Sequence, residues 1–68
     1  MENYRAEREA TDLFQVDMAR LCGCNPTTAW RWERDDLPVP QYARTVLKMW
    51  GMLTPEQRDD LFRWLMAQ

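Results

Sequence analysis

The stretch Gln15-Val16-Asp17-Met18-Ala19-Arg20-Leu21-Cys22-Gly23-Cys24-Asn25-Pro26-Thr27-Thr28-Ala29-Trp30-Arg31-Trp32-Glu33 decides the fold of this chain. It reads as two short helices joined by a three-residue turn, Gly23 to Asn25. Gly23 supplies the residue that takes positive φ at a helix end. Asn25 is a good N-cap and Pro26 suits a first helical turn, so the second helix of the pair covers residues 26–34. Counted from Gln15, the fourth, eighth, tenth, fifteenth and eighteenth positions are Met18, Cys22, Cys24, Ala29 and Trp32, all apolar. That spacing predicts one inward face shared by the two helices, with Ala19 small enough for close approach. Trp30 and Trp32 differ by about 200° on a helix, so both cannot enter one core. Ala29 and Trp32 share a face, which sends Trp30 outward together with Thr27, Arg31 and Arg34.

Helical spacing extends in both directions from this pair. A short polar helix is expected at about residues 3–10, with only Tyr4, Ala6 and Ala10 as apolar positions; the alternative is that it runs on into the next helix. Asp12 followed by Gln15 reads as a capping box for that next helix. Asp35-Asp36-Leu37-Pro38-Val39-Pro40 breaks the helix that follows the turn. Ala43, Val46, Leu47 and Trp50 then form one stripe of a fourth helix, which Gly51 ends. Thr54-Pro55-Glu56-Gln57 combines a capping Thr, a first-turn Pro and a Gln closing the box, and starts a last helix that runs through residue 68. Alternating Val/Ile/Thr runs and Asn-Gly turns are absent. The expectation is an all-α fold of five helices in a single domain over residues 1–68.

Composition narrows the function. The chain has 68 residues, 46% of them apolar, with four Trp. This is a folded composition of marginal size, about 60% of its unfolded surface being buried on folding. No apolar run approaches the roughly 20 residues of a membrane span, and the run Met1-Glu2-Asn3-Tyr4-Arg5 has no apolar signal region, which predicts a cytoplasmic protein with no membrane partner. There is no His and there are two Cys. Cys22 and Cys24 are too close for an easy disulfide and read as small core hydrophobes. No metal, cofactor or small-molecule ligand is expected, and no nucleophile–base set for an enzyme is visible. The net charge is −2. Arg20, Arg31, Arg34, Arg44 and Lys48 against Asp17, Glu33, Asp35 and Asp36 make residues 15–50 net +1, the only positive part.

On these residues the chain resembles the Cro/repressor-type helix-turn-helix family, common among phage repressors and small bacterial regulators. Leu13-Phe14-Gln15-Val16-Asp17-Met18-Ala19-Arg20-Leu21-Cys22-Gly23 is similar to the family's Leu-Ser-Gln-x-x-Leu-Ala-x-x-x-Gly. Thr28-Ala29-Trp30-Arg31-Trp32-Glu33 is similar to its Thr-Val-x-x-Trp-Glu, and Pro38-Val39-Pro40 with the aliphatic helix after it looks like its fourth helix. The resemblance covers about residues 4–53. The chain departs from the family at Phe14, where a Ser or Thr cap is usual, at Asp35, where a Gly is usual, and in its acidic charge.

The resemblance implies a sequence-specific DNA-binding transcriptional regulator, a phage-type repressor whose second motif helix enters the major groove of double-stranded DNA. It places Asn25, Pro26, Thr27, Trp30 and Arg31 outward, with Arg34 joining them from helical geometry. Arg31 suits guanine, Asn25 an adenine edge, and Thr27 and Trp30 thymine methyls. Gln15 falls where the family commonly holds a phosphate, or else serves only as a cap partner. Tyr42, Arg44 and Lys48 are further backbone candidates. Arg8 stands where relatives often hold an Arg that meets the Glu at position 33, an ion pair with little net stability implied.

The last helix is richer in apolar residues than one small core needs. Trp64 and Met66 point about 200° apart, so residues 54–68 are expected to form a homodimer contact through Leu61, Phe62, Trp64 and Leu65. The rival reading keeps the fold and changes its use. It makes the chain a protein-interaction module, such as an antirepressor or an inhibitor of a host defence complex, and the acidic charge and an exposed Trp30 point that way. Acid mixed through the outer face of the third helix is the feature that would distinguish it.

Overall fold

Side chains next to the helix ends set where each helix starts. In the computed structural model, which describes residues 3–68, Asn3 Oδ1 accepts from the Ala6 N–H at 3.2 Å. The helix it caps, α1, spans Tyr4–Glu9 and does not run on. Thr11 Oγ1 donates to the Arg8 carbonyl at 2.6 Å, and Asp12 adopts a φ of 63°, a conformation Asp tolerates better than most residues. Asp12 is therefore not the cap of the next helix, contrary to the Asp12–Gln15 spacing. Its left-handed turn carries Leu13 into the core and delays the helix. α2 spans Gln15–Cys22, with Phe14 as its N-cap residue. Phe14 has no side-chain acceptor. The cap is closed from the other side, the Phe14 N–H donating to Asp17 Oδ2 at 3.1 Å.

Gly23, at φ 70°, stops α2 in a Schellman arrangement: its N–H donates to the Arg20 carbonyl at 3.3 Å and the Cys24 N–H to that of Ala19 at 2.9 Å. Asn25 Oδ1 then accepts from the Thr27 N–H at 2.8 Å and Pro26 opens α3, Pro26–Glu33. Asp35 ends α3 at φ 61°, and the Asp36 N–H returns to the Arg31 carbonyl at 3.1 Å. After Pro38-Val39-Pro40 comes α4, Gln41–Gly51, which includes Gly51 and is capped by Met52. The last helix, α5, spans Pro55–Met66. Thr54 and Gln57 cap it reciprocally, at 3.2 and 2.8 Å. The described residues form five α-helices and no strand, and none of these helices is long and apolar enough to cross a membrane.

The core is built from Tyr4, Leu13, Met18, Ala19, Ala29, Trp32, Ala43, Leu47 and Trp50. Three alanines, one each from α2, α3 and α4, allow these helices to approach closely. Trp32 is the hub: Tyr4 and Tyr42 both stand edge-on to it with centroids 6.0 Å away, pairs worth about 0.5–1.5 kcal/mol beyond their buried area. Cys22 and Cys24 are free thiols packed against this core. Burial pushes the Cys22 thiol up to about 11 and raises that of Cys24, so both are neutral at pH 7. All nine core residues lie before α5, which buries none of its own. α5 leans on α4 through Phe62, edge-on to Trp50 at 5.2 Å, and through Arg58, whose Nε donates to the Trp50 carbonyl at 3.2 Å.

Candidate nucleic-acid interface

Glu33, the one carboxylate of α3, is withdrawn from the surface. Arg8 of α1 grips it with a bidentate fork, Nε to Oε2 at 2.6 Å and Nη2 to Oε1 at 3.0 Å. Gln15 Nε2 adds a third donor to Oε1 at 3.1 Å, while Arg8 Nη1 donates to the Leu13 carbonyl. One carboxylate thus ties α1, α2 and α3 together. The hydrogen bond to Glu33 holds the Arg8 guanidinium above its ordinary value. The pair is buried, with side chains 10% and 3% exposed. The small stability expected of a surface ion pair therefore does not apply: removing Glu33 strands the Arg8 charge in the interior, and removing Arg8 leaves Glu33 with only the exposed Arg5, at 4.0 Å, as a counter-charge among the described residues.

The outer face of α3 carries Asn25, Pro26, Thr27, Trp30, Arg31 and Arg34, all exposed. The two tryptophans divide as helical geometry requires, Trp30 being 41% exposed and Trp32 3%. No carboxylate lies among these outer residues. Acid begins only after the helix, at Asp35 and Asp36. Arg34 bends back on its own neighbourhood: its guanidinium carbon is 4.4 Å from the Trp30 ring centroid and its Nε 3.5 Å from Asp36 Oδ2. Arg31 forms no ion pair among the described residues. Asn25 has its side-chain oxygen committed to the cap of α3.

The remaining predicted residues are not gathered on this face. Gln15 is part-buried and turned to Glu33. Arg44 binds Glu7 of α1, Nη1 to Oε2 at 2.6 Å. Lys48 is exposed one turn further on and lines, with Glu7, Gln41, Arg44 and Thr45, a shallow depression on the α1 side of α4. Tyr42 is exposed at one edge and packs the other on Trp32. On α5, Leu61, Phe62 and Leu65 are half-buried, and Phe62 faces Trp50 of its own domain. Trp64 and Met66 point out, 60% and 61% exposed. Beside α5 an apolar groove of about 400 Å³ runs between Leu21, Val46, Met49, Trp50 and Leu61.

Two features had no place in the sequence reading. Phe14 and Val16 are exposed apolar residues at the start of α2; the signal available for Phe14 was its capping position, which directs a side chain off the helix. The Gln15–Glu33 bond joins residues 18 apart and has no local spacing to announce it. No known protein family, curated protein or solved structure matches the chain.

Proposed function

We propose that this chain is a sequence-specific DNA-binding regulator of the Cro/repressor helix-turn-helix type, acting in the cytoplasm as a homodimer and reading the major groove with α3. The observation that carries the reading is the outer face of α3: two arginines, an amide, a hydroxyl and an indole, with the helix's only carboxylate folded inward onto Arg8. That is a donor-rich composition of the kind base edges and phosphates select, with acid entering only at its C-terminal end, where Asp36 meets Arg34. α2 would lie across the backbone. The outward Trp64 of α5 would meet its twin, so that two copies of α3 address half-sites one helical turn apart. The repressor role and the phage-type setting come from the resemblance of residues 4–53.

The test is a gel shift of the full chain against duplexes selected from a random pool. A selected duplex should bind far more tightly than unselected DNA, and Arg31→Ala should cost about 1–3 kcal/mol and relax preference at one base pair. Failure to enrich any duplex would remove the proposal. The reading to take up then is the protein-interaction module, an antirepressor or defence inhibitor on the same fold. It is favoured by the net charge of −2 and by the exposed Phe14 and Trp30.

A further inference from the structure

The two arginines of the α3 outer face are not equivalent. The Arg34 guanidinium carbon lies over the Trp30 indole, 4.4 Å from its centroid, and Asp36 Oδ2 is 3.5 Å from the Arg34 Nε. The Arg34 charge is partly offset by Asp36. A guanidinium over an indole is a favourable pair, and it narrows the rotamers open to an otherwise exposed Trp30. Arg31, by contrast, has its whole fork available. Helical neighbours have Cα atoms about 3.8 Å apart, close to the 3.4 Å spacing of successive bases on one strand. Trp30 and Arg31 point about 100° apart around the helix axis, and both are long enough to reach neighbouring base pairs from one face of α3.

We infer that α3 reads a pyrimidine C5-methyl group next to a guanine, with Trp30 packing on the methyl, Arg31 pairing the guanine edge, and Arg34 acting as a positioning residue for the indole. The inference rests on the DNA-binding reading above and adds what it recognises. In the major groove the C5-methyl of thymine is the apolar mark of a base pair, and guanine O6 and N7 are the acceptors that match an arginine fork. An indole held by Arg34 is a rigid apolar surface suited to the first, and an unpaired Arg31 to the second. Cytosine methylated at C5 presents the same group, so the same contact makes binding sensitive to cytosine methylation. Burying one methyl is worth about fourfold in affinity per half-site, the equivalent of about 0.8 kcal/mol.

The experiment uses duplexes selected from a random pool by the full chain. Each thymine of the selected site is replaced in turn by uracil, which removes the methyl and nothing else. One position per half-site, adjacent to a guanine, should lose about fourfold in affinity. Cytosine at that position should regain a similar factor on C5 methylation. Trp30→Ala should bind the thymine and uracil duplexes equally, and Trp30→Phe should retain part of the difference. Arg34→Ala should shrink the thymine preference while leaving the salt dependence of binding unchanged. A salt slope lowered by about 1 would instead make Arg34 a phosphate contact and overturn its positioning role. Uracil tolerated at every position of a tightly bound duplex overturns the inference and leaves DNA binding intact. A thymine preference that survives in Trp30→Ala also overturns it and transfers the contact to Thr27. If no duplex is enriched, the DNA-binding reading fails and the inference with it.

Discussion

Replacing Glu33 by Leu should come close to unfolding the protein, and replacing Arg8 by Met at the same time should rescue it. Glu33 accepts two bonds from Arg8 and one from Gln15 while only 3% of its side chain is exposed. Its loss leaves the Arg8 guanidinium, 10% exposed, without a counter-charge, and breaking a buried pair in this way costs about 3–5 kcal/mol. A chain of 68 residues has a total stability of roughly 3–10 kcal/mol. At about 4–8 °C per kcal/mol for a domain of this size, either single variant should lower the thermal midpoint by more than about 12 °C. The double variant Arg8→Met, Glu33→Leu has no stranded charge. It still loses the donor to the Leu13 carbonyl, worth about 1–3 kcal/mol if that group stays buried. The four proteins compared by circular dichroism in urea and on heating give the coupling directly, and it should exceed about 3 kcal/mol. Losses that simply add in the double variant, or a single variant that loses less than about 1 kcal/mol, would refute the view that this ion pair holds α1, α2 and α3 in place.

Gly23→Ala should cost about 1–2 kcal/mol through backbone conformation alone, because φ is 70° and a Cβ there meets nothing within 4 Å; a urea midpoint unchanged from wild type would contradict this. The Tyr4 hydroxyl is buried without a partner, and burial raises its pKa above the ordinary range. The folded state therefore favours the neutral phenol. Its contribution is fully present below pH about 10 and is lost as pH rises beyond that. Tyr4→Phe should match wild type at pH 7 or exceed it by up to about 1 kcal/mol, and should lose less stability between pH 9 and about 11; a steeper alkaline loss in the Phe variant would rule this out. Trp64→Ala should leave the helical content intact and shift sedimentation at micromolar concentration from dimer towards monomer. A wild-type chain that sediments as a monomer there takes the dimer out of the proposal.

The turn between α2 and α3 was legible because its chemistry is local. Gly23, Asn25 and Pro26 each do at their own position what their residue type does anywhere, and the 200° offset of Trp30 and Trp32 is arithmetic on one helix. The start of α2 was not legible, because Asp12 suits two roles: a cap and a residue with positive φ. Only the packing of Leu13 selects between them. The same limit governs the candidate site. Outward placement of Thr27, Trp30 and Arg31 follows from periodicity. That Gln15 turns to Glu33, that Arg44 is drawn to Glu7 and that Arg34 folds onto Trp30 depends on which side chains meet across helices, and spacing carries no such information. Nor does a formal sum reveal that Glu33 is buried against Arg8; the pair cancels and leaves the charge of −2 on the remaining residues.

Because every core residue lies between Tyr4 and Trp50, the molecule has two tiers of stability. α5 rests on the core through the half-buried Leu61 and Phe62 and the Arg58 guanidinium, so its hydrogen bonds can open without disturbing the interior. Its amide protons should exchange with solvent through this local opening, while those of α2 and α3 wait for the whole domain to unfold. The protein therefore carries, at one end, a segment that opens more readily than the rest of its fold.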